Sequence, residues 1–184
     1  MSIRNSSVRW GAVSQSLHWL IALLILTQIA LGLTVKEFLH RGPTFFAIIG
    51  IHKSIGITIL ALVVIRLLWR WMNPVPKLPT TLKPHERLLA RCTHAALYVI
   101  LFAMPLSGWI GSSAGGHAVR WFNLFAVPNL VGKDRPLAGI MGATHEVLAI
   151  CLVLILVLHI AAALKHHFVL KDDTLRRMLP GSTT

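Results

Sequence analysis

The sequence is poor in charged side chains, and in acidic ones above all. Only 13% of its 184 residues are charged, and the whole chain holds six Asp or Glu residues. A typical soluble domain carries about 25% charged residues. Hydrophobic residues instead make up 55% of the chain. This composition excludes an ordinary soluble protein and predicts a single integral membrane domain over residues 1–184.

Cysteine is also scarce. The two cysteines, Cys92 and Cys151, lie in different hydrophobic segments, and neither belongs to a Cys-x-x-Cys motif. A redox dithiol and covalent attachment of a prosthetic group through paired cysteines are therefore not expected. We predict no disulfide and interpret both thiols as packing residues.

Basic residues outnumber acidic ones by 18 to 6, which gives a formal charge of +12. No soluble basic domain or recognition motif accompanies this excess, so nucleic acid is not an expected partner. Basic loops retained on the cytoplasmic face of a membrane explain the charge more simply.

Four long hydrophobic runs are present, and each approaches the roughly 20 residues that cross a bilayer as a helix. They predict an all-α membrane protein, a bundle of four transmembrane helices embedded in lipid. Pro105 is expected to kink or break the third helix, and the loop 111–138 is expected to lie partly in the membrane interface. A short surface helix is predicted over 174–179. The four predicted helices cover about 17–35, 45–71, 88–110 and 139–167.

Four spans place both termini on one side of the membrane. Twelve of the 18 basic residues lie on that side or at its helix ends, and six lie on the other. The positive-inside rule therefore predicts that both termini are cytoplasmic. The six residues assigned to the outer side are Lys36, Arg41, Lys53, Arg120, Lys133 and Arg135.

Histidines interrupt the hydrophobic runs at matching depths. His145 and His159 are fourteen residues apart in the fourth run, which is about 21 Å along a helix and about 40° around it. The direction of each span places His52 in the outer half with His145, and His18 in the inner half with His159. Polar side chains inside a membrane are functional candidates by default.

Each histidine pair can present two neutral imidazoles to opposite faces of a flat macrocycle. We therefore predict two six-coordinate haem irons, an inner one held by His18 and His159 and an outer one held by His52 and His145. Hydrogen bonding between helices is the alternative role for these side chains. Zinc would need four nitrogen or sulfur ligands at one depth. His94 lies near the inner surface and could compete with His18, although a hydrogen bond or a propionate contact is the expected role.

Other residues are compatible with a haem lining. Lys53, Arg41 and Arg9 could pair with haem propionates, or they could only extend their charges to the membrane surface. Small residues permit close approach of a backbone or macrocycle, although they are also common in membrane helix packing. The glycines concerned are Gly50, Gly56, Gly108 and Gly111.

Short motifs along nearly the whole chain resemble the prokaryotic cytochrome b561 family, and most closely its small four-helix di-haem members described as superoxide oxidases. One motif carries His18, another opens the second run at His52, and two others surround His145 and His159. In sequence order the motifs are SLHW at 16–19, IH at 51–52, RLLWR at 66–70 followed by PVP at 74–76, THE at 144–146, HIAAALKHH at 159–167 and KDDTLRRMLP at 171–180.

The resemblance implies two haem b groups, a bacterial inner membrane location and electron exchange with ubiquinone. It also implies that the haem ligands fall on His18, His52, His145 and His159. Members described as superoxide oxidases are taken to oxidise superoxide to dioxygen at the outer face while reducing ubiquinone.

Three functional hypotheses follow. In the first, outer basic residues including Lys53 concentrate superoxide, and His166 and His167 donate protons to the quinone or simply anchor the helix at the interface. In the second, the protein is an electron-transfer cytochrome b subunit serving a partner dehydrogenase or a soluble cytochrome. In the third, it is a transporter or structural membrane protein without haem.

Overall fold

A computed structural model describes residues 2–37, 40–77 and 82–181. Within these ranges, four helices are long and apolar enough to cross a membrane. The prediction of an all-α membrane protein with four spanning helices is confirmed. Helices α1 and α2 pack together, helices α3 and α4 pack together, and α2 joins the two halves by contacting α3. The helices are α1 (Ala12–Glu37), α2 (Pro43–Trp71), α3 (Pro84–Ala114) and α4 (Arg135–Leu164).

Polar first turns make the last two helices start earlier than predicted. Helix α3 begins at Pro84, where the Glu86 carboxylate accepts a hydrogen bond of 3.0 Å from the Lys83 backbone N–H. Helix α4 begins at Arg135, and the Asp134 carboxylate caps it by accepting from the Leu137 N–H at 2.9 Å. Hydrophobic runs alone do not reveal such capped, polar turns.

Pro105 does not break α3, which continues without interruption from Pro84 to Ala114. A kink or a break was predicted at Pro105, and the structure excludes the break. Proline costs one backbone hydrogen bond, but neighbouring helices and hydroxyl side chains commonly compensate for this loss in membrane helices.

A β-hairpin occupies the predicted 111–138 loop. Strands β1 (Val119–Trp121) and β2 (Phe125–Val127) pair antiparallel. Phe122 and Asn123 both have positive φ, 45° and 61°, and the Leu124 N–H donates to the Trp121 carbonyl at 2.9 Å. Two consecutive left-handed residues characterise a type I′ turn. The sequence lacks the Asn-Gly or Asp-Gly pair that would have predicted it.

The hairpin is tied to α2. The Ser54 side chain is almost fully buried, donates to the Arg120 carbonyl at 3.1 Å and accepts from the Phe122 N–H at 2.9 Å. The Trp121 indole donates to the Thr58 hydroxyl at 3.0 Å. We call this end of the bundle the hairpin end.

Both termini meet at the opposite end, which we call the terminal end. The N-terminal segment is fixed there by Asn5, whose side-chain amide donates to the Pro74 carbonyl at 3.0 Å. The C-terminal tail is fixed by Trp19, whose indole donates to the Met178 carbonyl at 2.9 Å. After α4 the tail contains a π-helical turn (Lys165–Leu170) and a 3-10 turn (Arg176–Met178), and the latter lies within the predicted 174–179 segment.

Candidate functional site

His52 and His145 face each other at the hairpin end. His52 projects from α2 and His145 from α4, with ring centroids 6.1 Å apart and ring planes inclined by 71°. The Gln28 amide on α1 donates to the His52 backbone carbonyl at 2.9 Å. His52 Nδ1 is buried and has no hydrogen-bond partner.

The ring of His145 is fixed in one tautomer. Its Nδ1 lies 2.9 Å from the Met104 carbonyl oxygen and 3.2 Å from the Ser107 hydroxyl. Because a carbonyl can only accept, Nδ1 carries the proton in the neutral ring and Nε2 keeps its lone pair. Metal-bound imidazoles commonly have this arrangement.

Close packing against glycine holds the same ring. A Cβ atom at Gly108 would lie 3.1 Å from His145 Cε1 and 3.2 Å from its Nδ1, and one at Gly111 would lie 3.1 Å from Met141 Cβ. Gly108 and Gly111 therefore bring α3 close to α4. A Cβ at Gly56 would meet the Gln28 amide at 3.4 Å, and Gly50 has nothing within 4 Å.

Three imidazoles gather at the terminal end. The ring centroids of His18 and His159 are 6.3 Å apart, with planes inclined by 74°. His94 of α3 lies closer still to His159, at 5.4 Å. The structure thus brings His94 beside the pair that was predicted from depth. The ring centroids of Trp19 and His18 are 5.2 Å apart, with planes inclined by 69°.

Both His pairs have the spacing that a metal held between two imidazoles requires. Two metal–nitrogen bonds of about 2 Å, plus about 1 Å from each nitrogen to its ring centre, separate the centroids by about 6 Å. Among the described residues, no group of three or more His, Cys, Asp or Glu side chains is arranged to hold a metal ion. Two protein ligands per centre suit an iron whose other four ligands come from a macrocycle, so the residues fit haem.

Three of the basic residues that were predicted on the outer side make different contacts in the structure. Lys53, next to His52, donates from Nζ to the Ser112 hydroxyl at 2.8 Å, and Ser112 donates to the His117 carbonyl at 2.7 Å. The aliphatic part of Lys133 packs against Gly116, where a Cβ would lie 2.7 Å from Lys133 Cε. Lys36 forms an ion pair with Glu146, the residue after His145.

The predicted proton donors lie in the π-helical turn. His166 Nδ1 is 2.5 Å from Asp172 Oδ2, whereas His167 Nδ1 is buried without a hydrogen-bond partner. Burial would raise the pKa of the Asp172 carboxyl, but hydrogen bonds from Thr174 and His166 outweigh it and hold the pKa below its usual value. Sequence reasoning missed Asp172, because only the π-helical turn brings it back onto His166.

The comparisons with known proteins cover nearly the whole chain. The family model described as prokaryotic cytochrome b561 matches residues 9–181. Cytochrome b561 homolog 2 of Escherichia coli is 40% identical over 184 residues, which is 100% of this chain and 98% of that protein. The probable superoxide oxidase CybB of Yersinia pestis is 32% identical over 174 residues, 94% of this chain and 96% of that protein. Cytochrome b562 of Cereibacter sphaeroides is 27% identical over 168 residues, with 89% and 90% covered.

Proposed function

Because the chain belongs to the prokaryotic cytochrome b561 family, a family of membrane electron-transfer proteins that carry haem b, we propose that it moves electrons between two haem b groups stacked across the bacterial inner membrane. His52 and His145 would hold the hairpin-end haem, and His18 and His159 the terminal-end haem. The observation that carries this proposal is the pair of imidazole spacings, 6.1 Å and 6.3 Å, one at each end of the bundle.

We further propose that superoxide is the electron donor and ubiquinone the acceptor. The distribution of basic residues predicts that the terminal end lies in the cytoplasm and the hairpin end outside. One superoxide then gives one electron at the hairpin end and leaves as dioxygen. Two such electrons and two protons convert a quinone to a quinol at the terminal end. The 32% identity to a probable superoxide oxidase supports the choice of donor.

The haem groups would supply one-electron redox chemistry, and the protein residues would do the rest. The tautomer fixed by the Met104 carbonyl directs His145 Nε2 away from α3 and keeps it unprotonated. The Lys53 ammonium lies beside His52 and adds positive charge where the anionic electron donor would approach. At the other end, we infer that the His166–Asp172 pair and the neighbouring His167 exchange protons with the cytoplasmic side.

Stopped-flow mixing with superoxide tests this function. Purified, haem-loaded protein should show a reduced b-type α-band within the lifetime of superoxide, and added ubiquinone should reoxidise it. Lys53→Gln should slow the reduction and weaken its dependence on salt, because it removes a charge that attracts the anion. Haems that stay oxidised in the presence of superoxide would contradict the proposed donor.

An electron-transfer subunit that serves a partner protein is the second candidate. Exposed aromatic and aliphatic residues on the hairpin favour it, since Leu124 is 72% exposed and Phe125 56% exposed. In that case superoxide would not reduce the haems, but a soluble cytochrome or dehydrogenase copurified from the same membranes would.

A further inference from the structure

Arg66 is a cation inside a membrane-spanning helix, and only neutral groups accept its hydrogen bonds. Its Nε donates to the Tyr98 hydroxyl and its Nη1 to the Ser14 carbonyl, each at 3.1 Å. These bonds fix the guanidinium between α1, α2 and α3. Two of its five N–H donors are used in this way.

No carboxylate compensates this charge among the described residues. Each acidic side chain that the structure describes is engaged elsewhere, and none lies within 4.0 Å of Arg66. A cation in a membrane helix without an opposite charge is costly, so such a group usually marks the place of an anion. The engaged pairs are Glu86 with Lys165, Glu146 with Lys36, Asp172 with His166 and Asp173 with Arg177, and Asp134 caps α4.

The charge of Arg66 lies beside the terminal-end histidines. The Ser14 carbonyl, which accepts from Arg66, lies one helical turn from His18 on α1. The Tyr98 hydroxyl, its other acceptor, lies one helical turn from His94 on α3. Tyr98, the single tyrosine of the chain, receives the Arg66 hydrogen bond on its hydroxyl and the Arg70 guanidinium over its ring at 6.0 Å. One aromatic side chain therefore positions two cations near the same centre.

We propose that Arg66 is the fixed counter-cation of the terminal-end centre, where it binds a haem carboxylate and favours the reduced iron. This inference rests on the proposed function, since it takes haem as the group between His18 and His159. Adding an electron to ferric iron lowers the positive charge of the centre by one. A fixed cation nearby stabilises that change and raises the reduction potential. A planar guanidinium also matches a carboxylate with two parallel N–H donors, which a lysine cannot do.

The alternative is that Arg66 only holds α1 and α3 together through its hydrogen bonds, which we call a structural tie. The two roles differ in whether the positive charge affects the redox equilibrium. A structural tie depends on the two hydrogen bonds and not on the net charge. A counter-cation shifts the redox equilibrium of one centre and leaves the other unchanged. Redox titration of the haem-loaded protein separates the two roles without any measurement of enzymatic activity.

The test uses full-length protein in lipid nanodiscs, in a His52→Ala background that leaves only the terminal-end centre. Arg66→Gln should lower the equilibrium constant for reduction at least tenfold, which is about 59 mV for one electron. Arg66→Lys keeps the charge and should retain most of the potential. Lys36→Gln, which removes a cation at the hairpin end, is the matched control and should cause no shift.

An unchanged potential in Arg66→Gln would overturn the inference, and so would equal falls in Arg66→Gln and Arg66→Lys. If Arg66→Gln loses haem, retention of haem and potential by Arg66→Lys supports the inference, and loss in both variants overturns it. Failure of the proposed function looks different, because the wild-type protein would then bind no haem or would not react with superoxide.

Discussion

The two ends of the bundle hold similar histidine pairs in different ways. At the hairpin end, hydrogen bonds to Met104 and Ser107 and the close approach of Gly108 fix the ring of His145. At the terminal end, a third imidazole lies beside the pair, and two arginines contact Tyr98 nearby. We infer that geometry controls the first centre and charge the second. We propose that electrons enter at the hairpin end, and cations at the terminal end would then favour transfer in that direction.

The largest effect is expected from removing one histidine of a pair, because only one end of the bundle should then lose its haem. His159→Ala should lose the terminal-end haem and keep the other, so that haem per protein falls by about half. His145→Ala should lose the complementary half. The pyridine haemochrome assay measures the ratio, and reduced-minus-oxidised spectra show which component remains.

His94 provides the control for that experiment. His94→Ala should keep both haems, because His18 and His159 already have the spacing of a ligand pair. Full haem content in His18→Ala, with loss in the double variant His18→Ala/His94→Ala, would instead assign a ligand role to His94.

The next largest effect is expected from crowding the ring of His145. Gly108→Ala places a Cβ 3.1 Å from His145 Cε1, and the two hydrogen bonds on Nδ1 prevent the ring from moving aside. Overpacking of this kind costs about 1–3 kcal/mol, so the hairpin-end haem should dissociate about tenfold faster or more. Haem transfer to apomyoglobin measures the rate.

Gly142→Ala is the matched control for crowding, because nothing lies within 4 Å of a Cβ at that position. It should leave both dissociation rates unchanged. If Gly108→Ala perturbs the two centres equally, the contrast between a rigid end and a charged end is wrong.

The periodicity of the fourth run predicted which histidines share a face, and span direction predicted which depths match. The shared face and the matching depths depend only on helix geometry and on the order of the helices. The sequence could not predict which groups of other helices lie beside each histidine. The Met104 carbonyl, the Ser107 hydroxyl and the Tyr98–Arg66 contact depend on how helices rotate and pack against each other. The hairpin was missed because Phe122 adopts a left-handed conformation that its residue type disfavours.

Loss of the hydrogen bonds that hold the hairpin to α2 should have a smaller effect, and only at the hairpin end. Ser54→Ala removes the hydroxyl that accepts from the Phe122 N–H and donates to the Arg120 carbonyl. A buried N–H left without a partner costs about 1–3 kcal/mol. The Phe122 amide should therefore exchange its hydrogen roughly ten times faster or more, while the terminal end is unaffected. Thr27→Ala, which removes an exposed bond within α1, should leave that exchange unchanged.

The smallest effect is expected in the tail, where pH acts through Asp172. Its folded-state pKa is below the usual 3.8 because hydrogen bonds from Thr174 and His166 outweigh the opposing effect of burial. The ionised carboxylate therefore stabilises the folded tail above pH 3.8, and this contribution is lost as pH falls through the folded-state pKa. Asp172→Asn should remove it at neutral pH and cost about 1 kcal/mol, since the two side chains are only 15% and 16% exposed and share one hydrogen bond. The Thr174 amide, which donates to Asp172 Oδ1 at 2.9 Å, should then exchange a few times faster in the variant.

That difference in Thr174 exchange should disappear in acid, and Asp173→Asn, which affects only the pair with Arg177, should not reproduce it. Equal protection in wild type and Asp172→Asn at neutral pH would show that the π-helical turn holds the tail without the carboxylate.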